Sequence, residues 1–104
     1  DSGTIGTQEA VNLSFNFSTI LVDGIDLQVT GPEYPSDIEV QNITVDGNQL
    51  LSSTGNLTYQ SNFSATNADS CSVDVYNNST GVSQDYYLTI ELHTVSIPNH
   101  IHNL

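Results

Sequence analysis

The 104-residue sequence predicts one all-β domain, a β-sandwich. Three observations lead there. Helix formers are scarce, with three Ala and no Met, while Val and Ile supply 17 residues and Tyr and Phe eight, the chemistry of pleated, half-buried surfaces. Apolar residues alternate with Ser, Thr and Asn at period two in several short runs. Turn residues separate those runs at sandwich-like spacing, giving seven or eight strands.

Taken in order, residues 1 to 10, DSGTIGTQEA, are small and polar with Ile5 as the one large apolar residue, and read as a flexible or extended leader. From Val11 to Phe17 the odd positions are Val11, Leu13, Phe15 and Phe17 and the even ones Asn or Ser, a strand with one buried face. In TILVDGIDLQVT, Asp23-Gly24 is a hairpin signal, and pairing Val22 with Ile25 puts Ile20, Val22, Ile25, Leu27 and Val29 on one face. That set is even-numbered before the turn, whereas the ridge at 11 to 17 is odd-numbered. A bulge near Ser18-Thr19 must intervene, or residues 11 to 17 belong to a different sheet, in this molecule or another.

GPEYP, at 31 to 35, is a loop. Ile38 and Val40, then Ile43 and Val45, mark a strand with a phase shift near Gln41, and a turn follows at Asp46-Gly47-Asn48. NLTYQSNFSA places Leu57, Tyr59, Phe63 and Ala65 inward and Asn56, Thr58, Gln60, Asn62 and Ser64 outward. Cys71, Val73 and Val75 share a face, NNSTG turns, and Tyr86, Leu88, Ile90 and Leu92 mark the longest late strand before Val95, Ile97 and Pro98.

The charge pattern is that of a protein without bases. Net charge is -12, yet Asp and Glu number only 12, so the imbalance comes from the absence of Lys and Arg. Nucleic-acid and anionic-membrane partners, which require basic side chains, are excluded as expectations. A halophile would carry more acid. In acidic surroundings the carboxylates are largely neutral and the chain carries at most about +4, whereas ordinary numbers of Lys and Arg would leave a self-repelling surface. The composition therefore suits an acidic habitat, a biased exported surface protein being the other reading. The lone Cys71 cannot form an internal disulfide and reads as a small core residue. A chain starting at Asp1, with no apolar run of membrane-spanning length, reads as a processed form without a transmembrane anchor.

The strongest motif is Asn-x-Ser/Thr, the acceptor for N-linked glycan. Asn12, Asn16, Asn42, Asn56, Asn62, Asn77 and Asn78 each head one, seven where chance placement would give about 2.5. In the first five the middle residue is Leu, Phe, Ile, Leu or Phe, so a strand would turn that residue inward and the acceptor outward. Asn77 and Asn78 overlap, and one of them is expected to be used. N-linked glycans are the only non-protein group expected, and they imply export. The histidines His93, His100 and His102 lack convergent partners for a metal, and no nucleophile-elbow motif frames any serine, so neither a metal site nor an enzyme is expected.

Together the tail DSGTIGTQEAVNLSFNFSTI ahead of a small β head, the sequon density and the missing Lys and Arg make the chain resemble the glycosylated extracellular filaments of thermoacidophilic archaea called threads. The resemblance implies a cell-surface filament subunit assembled head-to-tail by donor-strand complementation, in which an immunoglobulin-like β-sandwich head is completed by the N-terminal donor strand of a neighbouring subunit. Identical subunits would be its partners, with no membrane insertion of the mature chain, and adhesion, cell contact or biofilm its roles. On that reading residues 1–18 are the donor tail and 19–104 the head. Val11, Leu13, Phe15 and Phe17 are the plugs, or Ile5 within residues 4 to 10. A complete, monomeric surface-layer or adhesin module and a viral coat protein are the competing expectations.

Overall fold

The computed structural model describes residues 1–95 and 100–103, the latter in backbone only. Seven strands follow in chain order: β1 Ser2–Ile5, β2 Glu9–Thr30, β3 Ile38–Val45, β4 Asn48–Thr54, β5 Thr58–Asn77, β6 Gln84–Thr94 and β7 His100–Asn103. One 3-10 turn, Pro35–Asp37, follows the GPEYP loop, and no α-helix occurs among the described residues. All pairings are antiparallel, in the order β1-β6-β2-β5-β3-β4, with β7 also on β6. The all-β expectation is met.

Two strands organise everything else. β2, of 22 residues, and β5, of 20, pair with each other twice, over 9–16 with 70–77 and over 20–28 with 58–68. Between these stretches the register shifts at Asn16/Ile20. On one side of the shift β5 continues to β3 and β4; on the other, β2 continues to β6, β1 and β7. Each stretch is apolar on one side only, and the buried residues form a single cluster. The extents of 48 × 21 × 20 Å are too thick for one flat sheet, so the ladder folds over on itself in sandwich fashion, with bulged strands passing from one layer to the other.

Two bulges explain the phase changes in the sequence. The extra residues near Ser18-Thr19 let the odd set Leu13, Phe15, Phe17 and the later set Val22, Ile25, Leu27, Val29 reach the same core. In β3, Asn42 adopts φ +51°, a left-handed conformation that Asn tolerates, and the register slips between Gln41 and Thr44. Ile38, Val40, Ile43 and Val45 are all buried as a result. Asp46 and Gly47, at φ +52° and +79°, make a two-residue turn in which Val45 pairs with Asn48.

Two expectations are corrected. Asp23-Gly24 makes no hairpin: β2 runs straight through it, with a register shift between Val22 and Gly24. A one-residue bulge reverses inside and outside just as a turn does, so the parity of Val22 and Ile25 fits both. The through-strand wins because it has a ladder on each side, β5 and β6. Ala65 is exposed rather than inward, because β5 carries two extra residues between Asn62 and Thr66 opposite the same irregularity. Of the two readings of the leader, flexible or extended, the extended one holds: Ser2–Ile5 is strand, and Ile5 is fully buried. Ile97 and Pro98 lie outside the described residues.

Cys71 is buried as expected, and desolvation pushes its thiol up to about 11.

Candidate functional site

Two features of the structure bear on function: the N-terminal edge and the placement of the Asn-x-Ser/Thr motifs. Residues 9–16 form the outer strand of their layer, hydrogen-bonded only to 70–77 of β5. Leu13 is buried, while Val11, Phe15 and Phe17 are half-buried against the core. Asn12, Ser14 and Asn16 face solvent. The opposite layer is likewise edged by β1, whose residues 2–5 pair with Tyr87 to Gln84 of β6 and whose Ile5 fills the core. Residues 1–16 thus supply a rim strand to each layer and cross the middle of neither. In this single chain both rim strands lie in their own sheet, so the sequence-predicted plugs Ile5, Val11, Leu13, Phe15 and Phe17 all contact the chain's own core.

Asn77 holds this edge in place. Its side chain is fully buried. Nδ2 donates to the carbonyl oxygens of Ile5 at 3.2 Å, Gly6 at 3.2 Å and Val82 at 2.8 Å. Oδ1 accepts from the Ser79 amide at 3.1 Å and from Gln84 Nε2 at 3.1 Å. Gln84, also buried, donates to the Tyr34 carbonyl and accepts from the Tyr34 amide, which ties in the loop after β2. The Ser79 hydroxyl accepts from the amides of Gly81 and Val82 and so shapes the turn. Asn77 therefore joins β5, β6, the β1–β2 connection and two loops. Sequence reasoning saw it only as half of an overlapping sequon; a run of alternating buried positions, Cys71, Val73, Val75, Asn77, is the signal that pointed inward.

The other acceptors behave differently. Asn12, Asn16, Asn42, Asn56, Asn62 and Asn78 are exposed, and the middle residues Leu13, Phe17, Ile43, Leu57 and Phe63 are buried or half-buried, as a strand register requires. Asn12 and Asn42, from β2 and β3, converge on Asp74 of the strand between them: Asn12 Nδ2 donates to Oδ1 at 2.7 Å and Asn42 Nδ2 to Oδ2 at 2.9 Å. Two acceptors therefore stand side by side on one outer face. Nearby, Glu39 accepts from the Ser53 hydroxyl, and that bond, with a lesser one from Gln41, holds its carboxyl below the ordinary Glu range.

Of the histidines, His93 Nε2 lies 2.6 Å from Asp26 Oδ2, while the side chains of His100 and His102 fall outside the described residues. No group of three or more metal-ligating side chains occurs among the described residues. No helix there is long and apolar enough to cross a membrane. No protein-family model matches the chain, and no curated protein matches it.

Proposed function

We propose that the protein is the structural subunit of an extracellular, N-glycosylated filament of the archaeal thread kind. Its N-terminal segment, residues 1–18, leaves its own immunoglobulin-like head and occupies the same slot in the next copy. The observation that supports this most is the rim position of residues 9–16, apolar inward, acceptor-bearing outward and joined to the rest by the irregularity at 17–19. Removing such a strand exposes the amides of β5 70–77 and the fully buried Val73 and Val75, a template that another copy's strand completes.

Exchange costs little, because the same contacts form in cis and in trans. With Ile5 fully buried, Leu13 largely so and Val11, Phe15 and Phe17 half-buried, the slot provides roughly 5–10 kcal/mol of apolar burial before ordering losses. Each copy gives one strand and receives one, so the contact is head-to-tail and open-ended. Glycans on the outward acceptors block lateral association of the rim while leaving the strand slot free.

A second reading, a self-complete surface or adhesin module, draws on the segment's lying in its own sheet. Deletion of residues 1–18 separates the two. A filament subunit loses assembly and regains a folded head on addition of a peptide spanning residues 1–18. A self-complete module stays monomeric with or without residues 1–18.

A further inference from the structure

The exposed face of the β5-β2-β6 layer contains a groove of about 390 Å³, within the range of small-ligand sites, lined by Asp26, Gln28, Thr58, Gln60, Thr89 and Glu91. These residues form two cross-strand rows: Gln60, Asp26 and Glu91 oppose one another in one register step, and Thr58, Gln28 and Thr89 in the next. The third row along is Asn62, Gly24 and His93. Gly24 has no side chain, and a Cβ built there would lie 3.0 Å from Asn62 Oδ1 and 3.5 Å from the His93 Cβ. The Asn62 side chain therefore leans inward over β2, toward the groove axis and not off the sheet edge.

We infer that the groove is a carbohydrate site occupied by the oligosaccharide carried on Asn62 of the same chain, which folds back along β2 instead of extending into solvent. The inference rests on the reading of Asn62 as a used acceptor. Gln60 and Asn62 point to the same face two residues apart, so the first groove row lies about 7 Å from the attachment point, within reach of the first sugar rings. Amide, hydroxyl and carboxyl groups can each accept from sugar hydroxyls, and the amides and hydroxyls also donate to them. The Asp26 carboxylate is fixed in direction by His93, 2.6 Å away. With no Lys or Arg anywhere in the chain, the groove offers no cationic partner for sulfated or uronic sugars and suits neutral hexoses. The Asn62 amide, unlike those of Asn12, Asn42 and Asn77, has no hydrogen-bonding protein partner among the described residues.

The test is a thermal double-mutant cycle on the purified full chain, made in its glycosylating source and in a host that attaches no N-glycan. Ser64→Ala removes the acceptor motif without touching Asn62, and Gln28→Ala with Gln60→Ala strips the groove. In the glycosylated protein each change lowers Tm by about 3–6 °C and the combination lowers it no further, whereas in the unmodified chain the groove change shifts Tm by less than about 1 °C. Additive losses, or an equal loss from the groove change without glycan, overturn the inference. Glycopeptide mass spectrometry that finds Asn62 bare while Asn12, Asn16 or Asn78 carry sugar overturns it too, and leaves the filament reading standing.

Discussion

Asn77→Ala is the perturbation whose effect follows most directly from the structure. It removes the side-chain group that satisfies the carbonyls of Ile5, Gly6 and Val82, the amide of Ser79 and one donor of Gln84, all within a buried cluster. A net hydrogen bond contributes about 1 kcal/mol, and stranding buried partners adds desolvation. The five interactions share two side-chain atoms and are not additive, so about 3–5 kcal/mol is the expected loss. That is a large fraction of the ~5–15 kcal/mol typical of a domain. At about 4–8 °C per kcal/mol for a domain near this size, Tm falls by roughly 12–40 °C. Differential scanning calorimetry reads this, with Asn78→Ala in an unglycosylating host as the comparison, expected within about 2 °C of the parent because Asn78 is exposed. Under the proposed N-glycosylation, the same geometry selects Asn78 over the buried Asn77 as the acceptor. Thr80 completes the Asn78 motif and is exposed, so Thr80→Ala abolishes sugar on the 77–80 segment while leaving the Asn77 cluster intact. A Tm drop below about 5 °C for Asn77→Ala, or sugar persisting on that segment in Thr80→Ala, would refute the reasoning.

Other consequences are equally direct. Phe15→Asp or Phe17→Asp places a charge against the core in the rim strand and is expected to give soluble monomers in negative-stain microscopy; filaments of normal length would contradict the tail assignment. Cys71, buried and with its thiol raised to about 11, reacts with an aromatic disulfide reagent at pH 8 only as fast as the protein opens, and fast labelling of the folded chain would show the site to be open. Stability measured by chemical denaturation is expected to be higher near pH 4 than at pH 7, because protonation relieves the net charge of -12 with no Lys or Arg to oppose it. Glu39 runs the other way: its lowered carboxyl contributes above the ordinary Glu range and loses that contribution as pH falls through its own value. Glu39 is half-buried at the surface and reached by water, so solvent screening keeps this opposing effect the smaller one.

Much of the fold was legible in the residues. Ile38, Val40, Ile43 and Val45 marked a strand with an interior phase shift, and Asn42 provides it. Asp46-Gly47 marked a turn and makes one. Cys71, Val73 and Val75 were readable as core because alternation survives when both neighbouring strands are regular. Asp23-Gly24 was not, because a turn and a bulge reverse facing identically and only the long-range ladders of β5 and β6 distinguish them. The acceptor motifs were visible in the sequence, but their division into six exposed asparagines and one buried cluster was not: Asn77 and Asn78 have the same local motif and differ only in what surrounds them. The groove beneath Asn62 was invisible for the same reason, since its residues come from three strands far apart in sequence.

The central claim is that the N-terminal strand is exchanged between copies, and the register offers a direct test. Phe15 lies opposite Cys71 across β2 and β5, at the spacing a disulfide can span. Phe15→Cys, assembled and then oxidised, places the new thiol against Cys71 of whichever molecule receives the strand. Non-reducing denaturing electrophoresis should show a ladder of covalently linked multimers that collapses to one band on reduction. If intact filaments, verified by microscopy, instead yield only single chains closed by an internal disulfide, each strand resides in its own subunit and the exchange account is contradicted.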